Sequence, residues 1–252
     1  MSYQSKRNNA KRDTWIVIGF AVFVLLFAAG MILFFSLKND PQTEIEKAVP
    51  EMPYEVPGFT MLDTAPCGDL NKSLSVSCMG TFSGAFVEDG SDEQIQNVLA
   101  LVVRNTGEEL LEYGLITAEC DGEAVTFEFS GLPAACSVLV MEKNRTVYDG
   151  SAEIAELSCE QMAMPVDIVL DFENDFSLYP SDGVINLENI SGSDFESDIS
   201  VYYKNFEYGL FLGGITYRAR FSGGMEDGQM KQSVQPHYSL EKSAILYMSY
   251  EQ

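Results

Sequence analysis

The sequence predicts an all-β protein: two tandem β-sandwich domains carried behind a single N-terminal transmembrane helix. Three observations lead there. Trp15 to Leu37 runs without one charged residue. From Cys67 onward the chain breaks into short apolar or alternating runs separated by Gly, Asn and Asp turns. The order of those runs then recurs in the second half.

The apolar run, WIVIGFAVFVLLFAAGMILFFSL, lies between Asp13 and Lys38. A bilayer core takes about 20 apolar residues as helix, so residues 15–37 are long enough to span it. Small residues at Ala28-Ala29-Gly30 resemble a signal-peptidase site, but the run continues through Met31–Phe35, longer than a signal core of roughly 7–15 residues. The segment therefore reads as a retained anchor. Residues 1–14 carry Lys6, Arg7, Lys11 and Arg12 against Asp13, whereas the far side turns acidic at Asp40, Glu44 and Glu46. Basic excess marks the cytoplasmic flank. The expected topology is type II in the plasma membrane, with a short cytoplasmic tail and extracellular C-terminal domains.

Net charge over the chain is −23. Setting aside the four basic and one acidic residues of the tail leaves 11 basic and 37 acidic residues on the far side of the span. Such a surface repels nucleic acid, whose binding rests on neutralising phosphates, so no nucleic-acid partner is expected. The charge serves solubility first. Cys67, Cys78, Cys120, Cys136 and Cys159 fall on the oxidising side. Five is odd and no C-x-x-C occurs, so the pairing is left open.

Residues 38–66 hold five of the nine prolines and read as an extended stalk. The first sandwich is expected over residues 67–150, with strands at Leu74–Cys78, Val98–Val103, Gly114–Cys120, Glu123–Phe129 and Ser137–Met141. Asp121-Gly122 is the pair favoured in a two-residue type I′ hairpin. That turn places Ile116 opposite Phe127 and Ala118 opposite Val125 on one face. It places Thr117 opposite Thr126 and Leu115 opposite Glu128 on the other. The second sandwich, residues 151–252, follows the same order. Val184–Leu187 running into Asn189-Ile190-Ser191-Gly192 matches the run into Asn105-Thr106-Gly107, and Ile199–Lys204 matches Leu115–Cys120. Leu210–Phe221 is a long alternating strand, and Ser243–Met248 is matched to Ser137–Met141.

The strand and turn pattern at Val98–Gly107, Gly114–Cys120 and Ser137–Met141 resembles bacterial extracellular immunoglobulin-like modules of the FxLYD and CARDB type. Tyr202-Tyr203-Lys204-Asn205 and Gly213-Gly214-Ile215-Thr216-Tyr217 are similar to segments of membrane-anchored bacterial surface proteins. The resemblance implies an immunoglobulin-like fold and a surface location rather than a ligand.

Chemistry is sparse. With His237 the only histidine, any site built on two is excluded. Gly-x-Ser-x-Gly, Walker A and Gly-x-Gly-x-x-Gly motifs are all missing from the sequence. Acidic residues gather at Glu88–Glu93 and at Asp171, Glu173 and Asp175, where they either solvate an edge or face a cation. No cofactor, resident metal or catalytic residue is assigned. Asn71, Asn144 and Asn189 head glycosylation sequons, which matter only in a eukaryotic source. Phe206 and Tyr208 fall in an expected loop and are the candidate partner-binding residues. The reading that follows is a non-enzymatic, membrane-tethered surface protein recognising another protein or a wall component. The alternative is an accessory or sensory subunit of a membrane complex.

Overall fold

The computed structural model describes residues 55–63, 65–150, 153–164, 169–170 and 174–250. The tail, the apolar span, most of the Pro-rich segment, Asp171 and Glu173 lie outside the described residues. Among the described residues there is no helix, hence none long and apolar enough to cross a membrane. The described residues are all-β, arranged in several sheets.

The first set of strands comprises β1 (Phe59–Met61), β2 (Gly68–Asp69), β3 (Leu74–Phe86), β4 (Glu93–Asn105), β5 (Leu111–Cys120), β6 (Glu123–Leu132), β7 (Ser137–Met141) and β8 (Ile154–Ala163). The second comprises β9 (Phe176–Ser181), β10 (Val184–Asn189), β11 (Ile199–Glu207), β12 (Leu210–Phe221), β13 (Met230–Val234) and β14 (Ser243–Tyr250). One large sheet runs β1-β3-β4-β7-β12-β11-β14, with β2 also on β3; β6-β5-β8 and β13-β10-β9 form two three-stranded sheets. The large sheet therefore contains strands from both halves, joined where Phe211 and Leu212 pair in parallel with Val138 and Leu139.

The β5–β6 hairpin forms in the expected register: Ile116 faces Phe127, Ala118 faces Val125, Thr117 faces Thr126 and Leu115 faces Glu128. Asp121 and Gly122 both take positive φ, 50° and 81°, as a type I′ turn requires. Its inner face, with Ile116, Phe127 and Phe129, packs against Leu101, Val103 and Val138 of the opposing sheet. A second core gathers Phe176, Ile185, Leu187, Val201, Tyr203, Ala219, Phe221 and Met248. Each three-stranded sheet thus covers a different stretch of the large one, and side chains alternate into the space between.

Strand pairing relates the two halves residue by residue. β3-β4-β7 and β6-β5-β8 in the first are matched in order by β9-β10-β13 and β12-β11-β14 in the second. Leu74 pairs with Asn105 as Phe176 pairs with Asn189. Ser137 pairs with Arg104 as Met230 pairs with Glu188. One expectation needs correcting here. The counterpart of Ser137–Met141 is β13, and Ser243–Met248 instead matches β8. The strand after Gly150, β8, pairs along the length of β5.

Two asparagines carry this equivalence. Asn105 and Asn189, both fully buried, each end a strand. Asn105 Nδ2 donates to Glu109 O and Leu132 O, at 2.8 and 3.0 Å, while Oδ1 accepts from Gly107 N at 2.9 Å. Asn189 Nδ2 donates to Ser193 O and Met225 O, at 2.8 and 3.1 Å, and Oδ1 accepts from Ser191 N at 3.1 Å. A short amide side chain satisfies three backbone groups at the point where the chain leaves one sheet for the other. Asn189, with no exposed surface, is closed to glycosylation in the folded protein.

Within the Pro-rich segment, Val56 is buried and Phe59–Met61 pairs with Gly80–Phe82, which ties that end of the segment to β3.

Candidate functional site

Two features stand out: the tip of the β11–β12 hairpin and the polar junction between the strand sets. At the tip, Glu207 pairs with Leu210 around Tyr208 and Gly209, whose φ angles of 56° and 82° again make a type I′ turn. The sequence suggests a loop for both aromatics. The structure instead puts Phe206 on β11, opposite Phe211, with ring centroids 5.1 Å apart in an edge arrangement. Tyr208 alone occupies the turn. Phe206 is 40% exposed and Tyr208 48% exposed. Beside them the backbone of Phe206 donates to Lys242 O at 2.6 Å, and Lys242 Nζ meets Glu207 at 3.2 Å. Leu240, in the loop before β14, is also exposed. Aromatic rings on a rigid hairpin offer contact area at little entropic cost.

At the junction, the first set contributes Glu88, just past β3, and Ser130 on β6. The second contributes Lys204 on β11 with Gly214 and Thr216 on β12. Lys204 has no exposed surface. Its Nζ donates to Ser130 O at 3.1 Å and Gly214 O at 2.7 Å. Glu88 accepts from Met141 N at 2.7 Å and from Gly214 N. Burial pushes the Glu88 carboxyl upward, against the pull of those N–H donors and of Lys204. Burial likewise pulls the Lys204 ammonium downward, against the attraction of Glu88. Gly214 permits this approach: a Cβ there would sit 1.8 Å from Glu128 O and 2.9 Å from Glu88 Oε2.

A cleft of about 200 Å³ opens beside the junction, lined by Glu88, Tyr113, Glu128, Ser130, Met141 and Lys143 among others. Glu128 and Lys143 pair there at 2.6 Å. The Tyr113 hydroxyl is held upward by desolvation and by the Glu128 charge. Glu88 accepts two backbone N–H groups in the cleft, which ties the end of β3 to β7 and β12.

The acidic loop Glu88–Glu93 is engaged by the protein itself. Asp89 and Glu93 clasp Arg145 at 2.7 and 2.6 Å, and Arg145 lies 4.4 Å over the Phe86 ring. Asp89 is held below the usual carboxylate range by Ser91 first and Arg145 second. Asp92 lies 4.0 Å from His237, which stacks on Tyr217 with centroids 5.1 Å apart. Among the described residues no group of three or more His, Cys, Asp or Glu side chains is placed to hold a metal ion. The five cysteines are unpaired, Cys78 buried and Cys67 exposed. Burial raises the Cys78 thiol to about 11, Cys67 adding to the shift.

Sequence reasoning placed Glu88 in an acidic run that solvates an edge or faces a cation, and missed both Lys204 and the junction between them. A charged residue inside the β-run ISVYYK was the available signal, since an interior strand position for lysine demands a partner. Comparison with protein families, curated proteins and solved structures finds no match to this chain.

Proposed function

We propose that the protein is a non-catalytic, membrane-anchored cell-surface protein whose two β-sandwich modules recognise another protein or a wall component. The hairpin tip bearing Phe206 and Tyr208 is the contact. The observation that carries this reading is the pairing of exposed aromatics with a rigid two-residue turn at the end of a long, buried hairpin. The apolar residues 15–37 supply the anchor and the basic tail its orientation. The modules are immunoglobulin-like, and β8, which pairs with β5, goes with the first of them. The acidic exterior selects against nucleic acid and favours partners that tolerate or complement negative charge.

Two measurements test this. Protease added to sealed cells should remove the C-terminal domains and spare the basic tail; their protection would place them on the wrong side of the membrane. Crosslinking on intact cells should trap extracellular species with the native chain, and Phe206→Ala/Tyr208→Ala should lose them while the melting temperature stays within a few degrees. An unchanged set of crosslinked species would remove the tip from the function. Replacing residues 15–37 with an unrelated apolar helix separates the accessory-subunit alternative. That alternative requires the exchange to abolish function with the ectodomain still displayed.

A further inference from the structure

The strand sets are joined by polar as well as apolar groups, Ala244 and Leu246 of the second set packing partly buried against the first core. Direct sheet pairing across the junction involves Phe211 and Leu212 with Val138 and Leu139. Phe211 is the residue of the second set that enters the fully buried part of the first core. Around them Lys204 donates to carbonyls on both sides, Ser130 O and Gly214 O. The Gly214 N–H turns the other way, to Glu88 of the first set. Thr216 Oγ1 donates to Ser130 O at 2.9 Å, and Ser130 Oγ lies 2.9 Å from Thr216 Oγ1 and 3.2 Å from Gly214 O. The residue between the two charges is thus one glycine, its N–H on the anion and its C=O on the cation.

We propose that Glu88, Gly214 and Lys204 form an electrostatic lock that holds the two strand sets as a single rigid body. The nearby Glu128 and Lys143 are paired with each other, and Asp89 and Glu93 are held by Arg145. Removing one member of the lock leaves the other enclosed without its counter-charge, which costs far more than removing both. The directional bonds to Ser130 and Gly214 fix one relative register of β6 and β12, which apolar contact alone would not. A pair of modules linked this way moves together, and the aromatic tip is presented at one angle to the first set.

Hydrogen exchange on the full chain in detergent micelles tests the lock, using Glu88→Gln, Lys204→Met and the double variant. Each single change should speed exchange at the junction amides of Val138, Leu139, Phe211 and Leu212 by at least about tenfold, while Leu101 and Ile185 keep their protection. The double variant should recover most of the lost junction protection. Equal loss at junction and core, no loss in either single variant, or a double variant as damaged as the two singles combined would each overturn the proposal. Should a single variant fail to fold, the double decides: wild-type junction protection supports the lock, and a second failure to fold overturns it.

Discussion

Truncating Asn105 to alanine removes three hydrogen bonds at a fully buried site and orphans Leu132 O, Glu109 O and Gly107 N. An unsatisfied buried backbone group costs about 1–3 kcal/mol. The bond to Leu132 O is wholly enclosed, while those to Glu109 and Gly107 are part-buried, where water can reach the freed groups. The expected loss is therefore about 2–4 kcal/mol, below three full penalties. At roughly 2–4 °C per kcal/mol for a unit of this size, the melting temperature should fall by roughly 5–15 °C. Asn189→Ala removes the corresponding three bonds and a fourth, from Ser191 Oγ at 2.8 Å, and should cost about as much, since the freed hydroxyl still bonds Ser193 O. The two asparagines share no partner, so the double variant should be additive within about 0.5 kcal/mol. Urea unfolding followed by tyrosine fluorescence measures all three. A loss below about 1 kcal/mol at either site, or a large loss at one alone, would refute the claim that the two asparagines do the same work in equivalent places.

The remaining expectations are briefer. Ile116→Asp puts a carboxylate into the first core and should cost more than about 4 kcal/mol, whereas Thr117→Asp on the outer face should stay near 1 kcal/mol; equal damage in thermal melts would contradict the hairpin register. Gly214→Ala has no room for its methyl group and should cost about 3 kcal/mol or more, while Gly228→Ala meets open space and pays about 1–2 kcal/mol for its positive φ; similar denaturation midpoints would show that the backbone approach at Gly214 is not tight. Burial raises the Glu88 carboxyl from 4.5 to about 7, so between those pH values the folded chain holds a proton the unfolded chain has released, and above them Glu88 is the anion of the lock. Stability from this group is present below 4.5 and declines as pH rises toward neutrality. Glu88→Gln should flatten that part of the pH–stability curve, and an unchanged slope would deny the shift.

What the sequence revealed followed from local periodicity. The Asp121-Gly122 hairpin was legible because one side of each strand is buried and the other wet, so a period of two survives in the residues. β7 was legible because all five of its residues are buried, a consequence of β12 covering its outer edge. Its counterpart β13, with the sequence MKQSV, was not: with one edge open it alternates exposed and half-buried positions and loses its apolar signature. β8 was hidden in the same way, its charged and apolar residues alternating between two environments. The second match was consequently drawn to the more apolar SAILYM. The turns after Asn105 and Asn189 were visible as turns, but the burial of the asparagine depends on carbonyls 27 and 36 residues further along. The Glu88–Lys204 junction left one local trace, the lysine inside ISVYYK, but its partner lies in the other strand set. Phe206 read as loop because Asn205 and Glu207 flank it; pairing with Phe211 makes it strand.

The contrast between β7 and β13 has a consequence for growth. The outer side of β7 is covered by β12 of the second strand set, whereas the corresponding side of β13 has no strand beside it among the described residues. There Lys231 turns its ammonium back onto Ser222 O and Gly224 O of its own unit, and Gln232 reaches Asn186 within its own sheet. Lysine and amide side chains on an open strand discourage further strand addition. The edge of β13 is thereby guarded against strand addition from outside.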